Sequence, residues 1–237
     1  MRINLPNVLY AMRHPLRTLA YVWRRDRIPY EAIAGFLPAD PVILEAGAHD
    51  GTNTVEMADF WPRGTIHAFE PVPRAAERVR ERIRHLGPRV QLHPLGLGPR
   101  DAAVEMHVSG DGSSGGSQSS SMLAPTTAQR EEFPGIAFGI RQTVPMRTID
   151  SWADSQGVDR VDFLWLDMQG YEMEALSGAS RILPTVAAIH MEVSNIQLYE
   201  HAPLYPEVRE RLAAWGFRPA IEAVFRIGGN VLFVRSR

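Results

Sequence analysis

The stretch Val42-Ile43-Leu44-Glu45-Ala46-Gly47-Ala48-His49-Asp50-Gly51 constrains this chain more than any other. It is an apolar strand running directly into an acidic, glycine-bearing turn, and a second apolar strand further on ends at Glu70. Strand, tight turn, helix and acid-tipped strand make the first half of a doubly wound sheet, in which the second acid accepts both hydroxyls of a ribose. The glycines that are absent narrow the reading. A dinucleotide fingerprint G-x-G-x-x-G laid on Gly47 needs glycine at 49 and 52, where the chain has His49 and Thr52. The second of those glycines lets backbone touch a pyrophosphate, and a histidine side chain obstructs that approach. With Glu45 and Asp50 beside the turn, the site repels phosphate and suits a cation. The sulfonium and ammonium of S-adenosylmethionine (SAM) meet both conditions.

Composition is consistent with one soluble α/β domain. The chain has 237 residues, 45% of them hydrophobic, enough to bury a full core. A net charge of −2 supplies no field that would recruit nucleic acid, so the expected partner is a small-molecule or glycan acceptor. All 25 basic residues are Arg, and Cys is absent. Schiff-base chemistry, disulfides, thiolate zinc sites and cysteine nucleophiles are thereby excluded. No apolar run approaches the ~18 residues of a membrane span, and His14, Pro15 and Arg17 interrupt the only place for a signal peptide. A cytoplasmic location is the expectation.

Residues 1–38 read as a basic, aromatic preface, with Leu16, Leu19, Ala20 and Trp23 at helical spacing. It is a cap, a lid or a homodimer contact, or else a helix for a membrane surface or acidic partner. The domain proper spans 39–237. Strands are expected at 41–46, 65–69 and 90–95, with helices at 53–60 and after Pro73, where the charge run is a solvated face. The Gly/Ser-rich segment 109–121 is a loop. It is either a flexible insertion or, through Ser119-Ser120-Ser121-Met122-Leu123, a cover closing over the cofactor.

A second informative stretch is Val161-Asp162-Phe163-Leu164-Trp165-Leu166-Asp167-Met168-Gln169-Gly170-Tyr171-Glu172. It is a buried-type strand ending in an acid, followed by a helix over 172–183. Ligands of open α/β sheets bind beyond the carboxyl ends of strands, so Asp167 belongs to the crevice, unless it only caps the next helix. The next strand, 186–193, carries His190 and Glu192 on one face by its period of two.

Four stretches now occur in order: Glu45-Ala46-Gly47-Ala48-His49-Asp50-Gly51, His67-Ala68-Phe69-Glu70-Pro71, Ser119-Ser120-Ser121-Met122-Leu123, and Asp167-Met168-Gln169-Gly170-Tyr171-Glu172 with Gly178-Ala179 after it. Val144-Pro145-Met146-Arg147-Thr148-Ile149-Asp150 and a closing Gly229-Asn230-Val231-Leu232-Phe233-Val234 strand accompany them. Over roughly residues 40 to 235 the chain resembles the FkbM family of SAM-dependent methyltransferases. The resemblance implies a Rossmann-like class I methyltransferase fold: a seven-stranded, mostly parallel sheet with the last strand antiparallel and helices on both faces. It also implies O-methylation of a hydroxyl on a sugar or other natural product, with S-adenosylhomocysteine as coproduct. Two positions depart from the family pattern, His49, where Asn is common, and Gln169, where Glu is common.

On this reading Glu45 and Gly47 face the methionine end, Ala48, His49, Asp50 and Gly51 shape the turn, and Glu70 binds the ribose. Gly96 and Leu97 flank the adenine, and Ser120, Ser121 and Asp167 complete the cofactor set. Methyl transfer to an alcohol needs in-line alignment and a proton acceptor, for which Asp167, His190 and Glu192 are the candidates. His190 is otherwise a satisfied core histidine. A divalent metal on Asp167 and Glu192 is an alternative activator. Acceptor binding falls to 194–207, where Tyr199, His201 and Tyr205 either stack on the acceptor or pack the loop onto the domain. Two other classes stay open: a nucleotide-linked oxidoreductase on the same fold, and a catalytically silent SAM-binding module.

Overall fold

Strands buried on both faces have no side to turn to water, so the nearly continuous apolar runs of the sequence become the centre of one parallel sheet. The computed structural model describes residues 27–110 and 119–236. The chain begins with α1 (Tyr30–Ala34), then alternates β1 (Val42–Ala46), α2 (Thr52–Phe60), β2 (Thr65–Phe69), α3 (Pro73–Ile83) and β3 (Val90–His93). An excursion comes next, with β4 (Gly96–Leu97), β5 (Ala102–Val108), α4 (Thr127–Glu132) and β6 (Ile140–Arg147). Alternation resumes through α5 (Ile149–Gln156), β7 (Phe163–Leu166), α6 (Glu172–Ser177), β8 (Ala188–Ser194), α7 (Tyr205–Ala214), β9 (Phe217–Val224) and β10 (Gly228–Arg235).

Seven strands form the main sheet in the order β3-β2-β1-β7-β8-β10-β9. Neighbours from β3 to β8 are parallel, and β10 lies antiparallel between β8 and β9. This is the expected class I architecture, last strand included. The order reverses between β1 and β7, and a crevice opens there beyond the strands' carboxyl ends. Two registers set the depth of the side chains beneath it. Glu45 pairs with Trp165 and Trp165 with His190, while Glu192 pairs with Asn230. Residues directly opposite share a sheet face, so Trp165 and His190 form a row one step below Asp167 and Glu192.

Each face of the sheet has its own core. On one, Trp152 of α5 packs edge-on against Phe69, His67 and His93. On the other, Tyr30 meets Phe60, Trp61 and Trp165, and Ile28 and Ile33 are wholly buried. Thus residues 28–33 pack on this face of the sheet, and Arg27 pairs with Glu56 of α2. The helix expected around Leu16 to Trp23 lies outside the described residues.

Two elements differ from expectation. The helix read over 172–183 stops at Ser177, because the backbone at Gly178 lies so close to the Gly98 carbonyl that a Cβ there would collide with it. A 3-10 turn, Leu183–Thr185, then leads into β8. The second difference is a small sheet, β4-β6-β5, standing apart from the main one. Its signal is the alternation Val104, Met106, Val108 against Ile140, Val144, Met146, most of whose side chains form a separate apolar cluster with Val72 and Ala75. Among the described residues no helix is long and apolar enough to cross a membrane.

Candidate active site

A cavity of about 570 Å³ lies at the carboxyl ends of β1, β2 and β7. The turn after β1 forms its first wall. Gly47 and Ala48 donate their N–H groups to the Phe69 carbonyl, both at 3.0 Å, which straps the turn to β2. Gly47 has φ 93°, and a Cβ there would collide with the Asp167 carbonyl oxygen. Only glycine lets the turn pass so close to the tip of β7. His49 sits in the left-handed region at φ 52°. Its N–H donates to Glu70 Oε2 at 2.8 Å, and Nε2 lies 3.4 Å from an Arg78 nitrogen. Arg82 pairs with Asp50 at 3.0 Å, so the turn's outer acid is neutralised from α3.

Three acids from three strand tips gather here. Glu70 is buried, accepts the Val72 N–H at 2.9 Å on its second oxygen, and has its pKa pushed up to about 7 by burial. Each of its oxygens keeps a further lone pair for a ribose hydroxyl. Asp167, half-buried, is tied to β1 by its N–H to the Ala46 carbonyl at 3.0 Å, and burial raises its carboxyl pKa as well. Glu45 is fully buried, and burial raises it to about 8. Its Oε2 accepts from Thr54 of α2, while Oε1 has no hydrogen-bond partner.

The remaining cofactor candidates divide. Gly47, Ala48, His49, Asp50, Glu70, Gly96, Leu97, Ser120 and Asp167 line the cavity; Glu45, Gly51 and Ser121 do not. Glu45 is wholly buried beneath α2, where its carboxyl group meets Thr54. Gly51 is instead the N-cap of α2, with φ 78°. Ser121 is turned to the protein, donating to the Gln169 carbonyl at 2.9 Å and accepting the Leu123 N–H at 3.1 Å. Ser120 accepts the Ser109 N–H at 3.0 Å. The intervening residues 111–118 lie outside the described part.

The base candidates are likewise separated. His190 lines the cavity but is buried, its ring stacked on Trp165 at 3.7 Å and 8°. Neither ring nitrogen has a hydrogen-bond partner, and burial pushes the imidazole down to about 3, leaving it neutral. Glu192 is exposed and does not line the cavity. It joins the site through a direct side-chain hydrogen bond with Asp167 and through Gln169, whose Nε2 donates to Asp167 Oδ1 at 3.0 Å and to Glu192 Oε2 at 2.6 Å. In this position Gln169 presents N–H groups, and no lone pair, to the two carboxylates suggested for a metal.

The acceptor candidates 199, 201 and 205 do not line the cavity. Tyr199 is buried, and its hydroxyl lies 2.8 Å from the Ser119 carbonyl and 3.0 Å from Gln169 Oε1, so it packs the loop onto the domain. His201 is an exposed turn residue with φ 62°. Tyr205 opens α7, where it bonds Glu222 and meets the Phe233 ring edge-on. Conversely, Trp165, Tyr171 and Asn230 line the cavity, although sequence pattern does not assign them to it, and Met122 lines it from the segment read as a flexible insertion or a cover. Trp165 was legible, being two residues before Asp167 and hence on its face. Asn230 was not, because only the register of β10 on β8 brings it across from Glu192.

The lining suits a cationic nucleoside. Raised carboxyl pKa values mean that ionised acids are costly here, and a sulfonium or ammonium in the cavity offsets that cost.

Comparison with known proteins agrees. The model of the methyltransferase FkbM domain matches residues 45–219. The 2-O-methyltransferase NoeI of Sinorhizobium fredii is 31% identical over 162 residues, which is 68% of this chain and 66% of that protein. Methyltransferase 1 of Beauveria bassiana is 26% identical over 152 residues, 60% of this chain and 59% of its own. The chain spans only 10% of a third relative, the AMB antimetabolite synthetase AmbE of Pseudomonas aeruginosa, at 25% identity over 82% of this chain. Among solved structures, Aeropyrum pernix fibrillarin with natively bound SAM superposes with a TM-score of 0.50 at 15% identity, covering 92% of this chain and 74% of that one. That likeness concerns the fold.

Proposed function

The chain belongs to the FkbM methyltransferase family, and from that membership we propose that it moves a methyl group from SAM to a hydroxyl of a sugar or other natural-product acceptor. The observation that carries the reading is the acid-lined cavity at the tips of β1, β2 and β7, inside the stretch that matches the family. Similarity to a 2-O-methyltransferase supports oxygen as the receiving atom.

Gly47 and Ala48 would hold the amino-acid end of the cofactor, Glu70 its ribose, and Gly96 and Leu97 its base. Bound there, SAM supplies a methyl group on positively charged sulfur, a leaving group that needs no covalent help from the protein. What the chain adds is alignment and a destination for the hydroxyl proton. Asp167 is that destination. Burial raises its basicity toward the working pH, where a general base typically contributes ~10² to 10⁴ in rate. His190, whose pKa burial lowers to about 3, stays neutral at neutral pH and is a poor base there. Its unpartnered nitrogens offer one donor and one acceptor to acceptor hydroxyls. Glu192 supports Asp167 through Gln169 and through a direct side-chain hydrogen bond.

The test is calorimetric titration of the full chain with SAM and with NAD, then incubation with SAM and pools of small molecules and glycans. SAM binding and an acceptor that gains the mass of one methyl group are expected. Asp167→Asn should bind SAM within about threefold of wild type and lower kcat by ~10² or more. Tight NAD binding without SAM binding would return the oxidoreductase reading. An unchanged kcat in Asp167→Asn would take the proton elsewhere.

A further inference from the structure

Gln169 makes more connections than its place in a turn requires. Its backbone is left-handed at φ 55°, a conformation that costs a non-glycine residue ~1 kcal/mol or more and persists only where surroundings hold it. Four segments do so. The Nε2 group reaches Asp167 at the tip of β7 and Glu192 on β8. Oε1 meets the Tyr199 hydroxyl in the loop after β8, and the main-chain carbonyl accepts from Ser121. The amide points its N–H groups at the two carboxyl groups and its oxygen at the Tyr199 hydroxyl.

We propose that Gln169 is a positioning residue whose carboxamide occupies the place of a cation between Asp167 and Glu192, while Tyr199 locks it to the loop after β8. Asp167 and Glu192 also share a direct side-chain hydrogen bond, and two carboxyl groups brought to one point are held by a shared proton together with N–H donors or positive charge. The amide supplies two N–H groups, one for each acid, and no net charge. The acids are thus held without a metal, and Asp167 is aimed by a neutral bridge. Among the described residues no group of three or more His, Asp or Glu side chains is placed to hold a metal ion. A carboxylate at 169 would supply the missing third ligand, because it would point where Nε2 points now. The inference takes Asp167 beside the acceptor from the proposed function.

The experiment uses Mn2+ alone, titrated into the full chain and monitored by electron paramagnetic resonance. Wild type should leave Mn2+ free up to ~1 mM. Gln169→Glu should bind it at least about tenfold more tightly, and Mn2+ should raise the Tm of that variant only. If Gln169→Glu does not fold, Gln169→Asp is read the same way, and the wild-type titration stands by itself. Wild-type binding in the micromolar range that is lost in Glu192→Gln would overturn the proposal. So would an acidic variant that folds yet holds no more Mn2+ than wild type. SAM titration of the same wild-type sample judges the methyltransferase reading separately: its failure would sink that reading and leave the Mn2+ result standing.

Discussion

His49 combines two facts at one position: a left-handed backbone at φ 52° and a side chain whose Nδ1 has no hydrogen-bond partner. Asn adopts that backbone more readily than other non-glycine residues. Because the contact to Glu70 is made by the main-chain N–H, it survives a change of side chain. His49→Asn should therefore keep SAM affinity within about threefold and raise stability by a few tenths to ~1 kcal/mol, read by calorimetry and urea unfolding. A tenfold loss of affinity, ~1.4 kcal/mol, would mean that the imidazole itself holds the cofactor. At this scale the sequence was legible where chemistry depends on strand position, as at Gly47, Glu70 and Asp167. It was not legible where a side chain's availability depends on neighbours. Glu45 looked like a cavity acid and is spent on Thr54; Tyr199 looked like an acceptor platform and is spent on Ser119 and Gln169.

Among elements, the parallel strands could be read because burial on both faces leaves an unbroken apolar run. The boundary of α6 could not, since it is set by a contact between distant segments. Gly178 meets Gly98 after β4 and Thr148 before α5. A methyl group there must push these elements apart, so Gly178→Ala should cost ~1 to 3 kcal/mol in urea unfolding. An unchanged midpoint would show that the helix ends there from glycine's own weak propensity. The pairing of β4 escaped for a related reason. β4 is a two-residue strand paired with β6 across a long excursion, and local pattern carries no trace of that pairing. Even so, β4 is the element that brings Gly96 and Leu97 to the cavity.

For the whole molecule, buried titratable groups pull stability in opposite directions. Glu45, Glu70 and Glu172 have folded pKa values of about 8, 7 and 7, above the usual 4.5, so the stability they contribute is full below 4.5 and lost as pH rises to 8. His67, His93 and His190 are depressed by burial to about 4, 4 and 3 from the usual 6.5, so theirs is full above 6.5 and lost as pH falls to 3. The two sets offset one another between 4.5 and 6.5. Stability should be nearly flat there and decline from 6.5 to 8, and saturating SAM should lessen the decline by stabilising the ionised acids of its site. Thermal unfolding across that range checks this, and stability that climbs from 6.5 to 8 would contradict it. One further consequence belongs to the position of β10. Residues 217–224 leave the ribosome before 228–235, yet β9 touches the sheet only through β10, which fills the free edge of β8. During synthesis β9 must therefore wait without a partner until the next strand emerges, and the sheet is completed by the last of its strands to be made.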